Sequence, residues 1–138
     1  MNFNLKHLPE RTTRSRSHGL TMVMDKGLSI RQAQDLIDSA QEQVDLVKLG
    51  FGTSAFYPKL KEKVKVYQDA GIKVYLGGTL FEAFYVRGQV EDYKKFASSL
   101  KLDTVEVSDG SISIPHDKKC ELIQKFAKDF TVLSEVGS

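Results

Sequence analysis

Residues 44–58, VDLVKLGFGTSAFYP, open as an apolar strand, place Lys48 inside the run, and break into glycines at Gly50 and Gly52. An unpartnered buried ammonium costs about several kcal/mol, so Lys48 requires either another side chain or a bound anion as its partner. The run is too continuous in Val and Leu for a strand with one wet face. It reads as a parallel strand covered on both sides.

Four further runs read the same way: LTMVMD from Leu20, KVYLGG from Lys73, DTVEVSDG from Asp103 and TVLSEVG from Thr131. Helical periodicity fills the intervals. Ile30, Ala33, Leu36, Ile37 and Ala40 form a stripe behind a Ser29 N-cap; Leu60, Val64 and Tyr67 form the next, stopped at Gly71. A third helical region, from about Leu80 to Leu100, breaks near Gly88, and a fourth follows Pro115.

Strict alternation of strand and helix implies repeated right-handed βα units, arranged as an open doubly wound sheet or a (β/α)8 barrel. The strand endings DKG, KLGFG, GGT, SDG and SEVG are charged or glycine-rich, and a barrel gathers all of them into one mouth. The expected fold is therefore α/β, a (β/α)8 barrel represented by five βα units. Residues 1–19 form a basic lead-in, most simply mobile, and residues 20–138 the partial barrel. A complete barrel takes eight strands and roughly 250 residues, so the chain reads as part of a longer protein or as a fragment. Open strand edges predict self-association into a homo-oligomer.

The 138 residues suit one domain, and a net charge of +2 with lysines dispersed among acids leaves no basic groove for nucleic acid. The single cysteine, Cys120, has no partner for a disulfide. No apolar run reaches the ~18 residues of a membrane span, and the N-terminus lacks the apolar core of a signal peptide. A soluble cytoplasmic protein is the default expectation.

Side chains alternate along strands, so Val23 shares a face with Asp25, Leu46 with Lys48, Glu106 with Ser108, and Leu133 with Glu135. If those faces point inward, Asp25, Lys48, Glu106 and Glu135 converge near the mouth. Three carboxylates with one ammonium suit a hard divalent cation such as Mg²⁺, and equally suit a structural salt-bridge layer; spacing does not separate the two. GFGTS and GGT bring backbone N–H groups and the hydroxyls of Thr53, Ser54 and Thr79 within reach of an anion, although tight βα turns use glycine in the same way. Neither matches a P-loop, and no GxGxxG follows the first strand. Lys26, Glu82 and Asp109 lie just past strand ends, positions that suit lining the pocket and equally suit capping a helix or turn, while His18 and His116 lack metal-pair spacing.

The ordered set RTT, GLTMVMDKG, VDLVKLGFGTSAFYP, VYLGGTLFEAFY, VEVSDGSISIP and VLSEVGS resembles the phosphosulfolactate synthase family over nearly the whole chain. The resemblance implies a (β/α)8 lyase that adds sulfite to phosphoenolpyruvate with Mg²⁺, giving (2R)-phospho-3-sulfolactate, a step of coenzyme M synthesis in methanogens. It also admits a non-catalytic, stress-associated or interaction protein on the same barrel, as in plant relatives. On the enzyme reading, Glu106 and Glu135 lead as Mg²⁺ ligands with Asp25 a third, and Lys48 meets the substrate carboxylate or sulfite. Lys26 meets a second anionic group, and Gly78 and Thr79 line the pocket. The proton donor and phosphate site are expected beyond Ser138, so little activity is expected of these residues alone.

Overall fold

The structure, a computed structural model, describes residues 4–135. Five strands, β1 (Met22–Asp25), β2 (Leu46–Leu49), β3 (Lys73–Leu76), β4 (Thr104–Val107) and β5 (Thr131–Ser134), alternate with helices α1 (Ile30–Ala40), α2 (Leu60–Asp69), α3 (Gly78–Tyr85), α4 (Val90–Ser99) and α5 (His116–Phe126). Ser29 caps α1 through a full capping box: its hydroxyl accepts from Gln32 N–H, and the Gln32 side chain accepts from Ser29 N–H. Gly71 and Gly88, both at φ +69°, follow α2 and separate α3 from α4. A side chain at either position would be strained, which is why the helical pattern stops there.

All strand pairs are parallel, in two ladders of order β1-β2-β3 and β4-β5, with β3 packed beside β4. This is a mixed α/β fold built of consecutive parallel βα units. Val47, Leu49, Val74, Leu76, Val105 and Val107 bury themselves against Ala33, Val64 and Tyr67 and against an aromatic cluster. In that cluster Phe81 meets Tyr93 edge-on at 5.5 Å and Phe126 at 6.1 Å.

Register corrects one expectation. Met24 stands opposite Lys48 and Asp25 opposite Leu49, so Asp25 belongs to the helix-facing set and Met24 to the face carrying Lys48. Fully buried, Asp25 accepts from Gly27 N–H (2.8 Å), Leu28 N–H (2.7 Å) and Tyr67 Oη (3.1 Å), and pairs with Lys63 Nζ at 3.0 Å. Lys63 also donates to Leu28 O and stands 4.4 Å above the Tyr57 ring. Asp25 thus closes the β1–α1 turn and anchors α2 beneath the sheet, rather than reaching the mouth.

A second expectation changes as well. The basic arm is docked: Arg11 donates to Thr21 Oγ1 and Gln43 O, Arg14 to Ala70 O (2.5 Å), and Arg16 to Glu42 O (2.7 Å). Ala70, Glu42 and Gln43 lie at or just past the C-terminal ends of α2 and α1, where unpaired carbonyls favour cations.

Candidate active site

Lys48 lies on β2, away from the helices, and its ammonium finds two carboxylates. Nζ is 2.9 Å from each oxygen of Glu106 on β4 and 2.9 Å from Glu135 Oε1, just past β5. Burial opposes the charge on Lys48, but the hydrogen bonds and charges of the two glutamates outweigh it and raise its pKa above the lysine norm. Burial pushes the Glu106 carboxyl up, against the opposing pull of Lys48, whereas the Lys48 hydrogen bond and charge hold half-exposed Glu135 below the usual carboxylate range. Glu106 Oε2 is buried and, despite its closeness to Nζ, has no hydrogen-bond partner among the described residues.

The glycine pair between β3 and α3 makes this packing feasible. A Cβ on Gly77 would stand 3.1 Å from Lys48 Cε and one on Gly78 would stand 2.3 Å from Ser108 Cβ and 2.9 Å from Glu106 Oε1. Only glycine lets the start of α3 lie this close to β4. One turn later, buried Glu82 accepts from Ser108 Oγ (3.0 Å) and Ser111 N–H (3.2 Å), tying the loop after β4 to α3.

These groups surround a cleft of about 230 Å³ at the carboxyl ends of the strands, lined by Met24, Lys48, Phe51, Gly78, Thr79, Glu82, Glu106, Ser108 and Glu135 among others. Of the residues singled out in the sequence, Lys48, Gly78, Thr79, Glu82, Glu106 and Glu135 come together; Asp25 does not. Lys26 stands at the rim, its Nζ 5.4 Å from the centroid of the Phe51 ring that lines the cleft. Phe51 is held at φ +53° with Gly52 at +67°, so the turn after β2 projects the ring over the opening.

Sequence reasoning missed Met24 and Tyr75. Tyr75 pairs in register with Lys48 and is buried, and burial together with the negative charge of Glu106 pushes its phenol up to about 12. Both stand opposite Lys48 in register, Met24 on β1 and Tyr75 on β3, and only that pairing reveals them.

The cleft holds three carboxylates, Glu82, Glu106 and Glu135, against the Lys48 ammonium. Among the described residues, no group of three or more His, Cys, Asp or Glu is arranged to hold a metal ion. Glu106 Oε2, buried and 2.9 Å from Lys48 Nζ but without a hydrogen bond, is the carboxylate oxygen that a cation completed by water and substrate oxygens would meet.

Consecutive parallel βα units with a charged cleft at the carboxyl ends of their strands define an α/β protein with its candidate site at those strand ends. The chain belongs to the (2R)-phospho-3-sulfolactate synthase (ComA) family, whose sequence profile matches residues 9–138. It is 40% identical over 132 residues to the phosphosulfolactate synthase of Methanothermobacter thermautotrophicus, covering 94% of this chain and 51% of that protein. To the phosphosulfolactate synthase of Methanocaldococcus jannaschii it is 43% identical over 123 residues, 86% of this chain and 49% of that protein. For the phosphosulfolactate synthase of Bacillus subtilis the identity is 33% over 131 residues, 95% of this chain and 52% of that protein. The chain thus spans about half the length of the curated relatives it matches.

Proposed function

We propose that these residues form the first five units of a (β/α)8 barrel that joins sulfite to phosphoenolpyruvate, giving (2R)-phospho-3-sulfolactate. The observation that carries this reading is Lys48 flanked by Glu106 and Glu135 in a cleft shaped by the Gly77–Gly78 turn. Three carboxylates against one ammonium repel a polyanionic substrate, so a divalent cation is needed for it to enter. Glu106 and Glu135 would hold Mg²⁺, which would supply positive charge at the substrate carboxylate.

The lone pair on sulfite sulfur forms a C–S bond to the methylene carbon. The C=C electrons shift toward the carboxylate as an enediolate, and a general acid from the remaining units of the barrel then gives a proton to the neighbouring carbon. Lys48 Nζ, released from Glu135 as substrate binds, donates to the carboxylate oxygens and stabilises the enediolate more than the ground state. Lys26, at the rim, meets a second anionic group, and Gly78 and Thr79 border the substrate.

The experiment is sulfite consumption with phosphoenolpyruvate and Mg²⁺, comparing this chain alone with the chain fused to the C-terminal half of the Methanothermobacter relative. Turnover is expected from the fusion and little or none from the chain alone. A well-folded fusion that binds phosphoenolpyruvate but leaves sulfite untouched rejects the reaction.

A further inference from the structure

Glu135 reaches Lys48 from an exposed strand end. The β4–β5 ladder stops at Val107 and Ser134, one residue before it, and its side chain is 55% exposed. A long side chain held in one place loses rotamer freedom, and burial does little here to offset that cost. Ser134 Oγ donates to Val107 O at 2.8 Å, and past that bond the support comes from α5.

Lys119 Nζ donates to Glu135 O at 2.8 Å and to Asp109 Oδ1 at 2.7 Å, with its side chain only 15% exposed. It stands in the first turn of α5, where the helix dipole disfavours a cation, so its placement answers to these two acceptors rather than to the helix. Asp109 belongs to the loop after β4, which Glu82 holds from the other side through Ser108 Oγ and Ser111 N–H. That loop passes against the Glu135 carboxylate: a Cβ on Gly110 would stand 3.7 Å from Oε2. One ammonium outside the cleft lining thus joins the ends of β4 and β5.

We propose, on the reading that Glu135 meets a cation in the cleft, that Lys119 is a positioning residue: it fixes the main chain at Glu135 so that the carboxylate is presented to Lys48 and to that cation. Charge and position pull in opposite directions when Lys119 is removed. Taking a positive charge away from the neighbourhood of a cation site favours the cation, whereas freeing the Glu135 main chain disfavours it. Weaker cation binding therefore reports the lost position and not the lost charge.

The test is calorimetric titration of Mg²⁺ alone into the chain fused to the C-terminal half of the Methanothermobacter relative, with melting temperature measured alongside. Lys119→Met and, as a second variant that keeps a polar head, Lys119→Gln should each bind Mg²⁺ about tenfold more weakly than the parent fusion, the loss of one charge-assisted hydrogen bond. Lys119→Arg, whose fork still supplies donors to both acceptors, should bind near the parent value. Unchanged or tighter binding in Lys119→Met and Lys119→Gln, or a loss in Lys119→Arg equal to theirs, overturns the positioning role and leaves the cleft reading standing. A parent fusion that binds no Mg²⁺, or whose binding is unmoved by Glu135→Gln, overturns the cleft reading and the positioning role with it.

Discussion

Two lysines with similar burial do different work. Lys63 is 1% exposed at its side chain and is held by fully buried Asp25, a partner the fold supplies completely. Asp25→Ala leaves that ammonium buried without its counter-charge and should cost about 3–5 kcal/mol in chemical denaturation, whereas Asp25→Leu combined with Lys63→Met should cost much less. Lys48 is 10% exposed and shares its cleft with carboxylates that a ligand can claim.

Its pH signature follows from the sign of each shift. Lys48 gains affinity for its proton on folding, so its contribution is full below the ordinary lysine value and is lost as pH rises through the raised one. Tyr75, pushed up to about 12, and Tyr67 and Tyr93, also raised chiefly by burial, act in the same direction, because the unfolded chain ionises first from about pH 10. In acid the glutamates oppose each other. Glu135 loses its contribution as pH falls through its depressed value, while Glu106, raised, is favoured by protonation. Stability measured by circular dichroism should therefore fall steeply from about pH 10 and change gently in acid, and Lys48→Met should make the alkaline fall shallower.

At the scale of elements, the strands and helix stops were legible because each has a local cause: continuous Val and Leu runs, a Ser29–Gln32 box, and glycines at left-handed positions. Ser29→Ala should cost about 1 kcal/mol of thermal stability. Which face of β1 points inward was not legible. Met24 and Asp25 are both plausible inward residues in isolation, and only the pairing of β1 with β2 chooses between them. The docking of the arm was hidden for a similar reason: Arg14 reaches a backbone carbonyl 56 residues away, and carbonyls leave no mark in a sequence. The GGT motif carried a detectable signal but not its cause, which is the approach of α3 to Ser108 and Glu106. Gly78→Ala should disrupt that approach, weakening phosphoenolpyruvate binding by at least about tenfold while leaving helix content by circular dichroism near wild type.

At the scale of the molecule, the strands bring their charged ends together at one side and the starts, with the arginine arm, at the other. No helix among the described residues is long and apolar enough to cross a membrane. In the carboxyl-end cleft three carboxylates outnumber Lys48; on the proposed reading an anionic substrate enters only with a divalent cation. This is checked by calorimetric titration of phosphoenolpyruvate into the chain fused to the C-terminal half of the Methanothermobacter relative, with Mg²⁺ and then with a chelator. Saturable binding is expected with Mg²⁺, lost with the chelator and at least about tenfold weaker in Lys48→Met; binding of equal strength with the chelator, or in Lys48→Met, overturns the proposed role of the cleft.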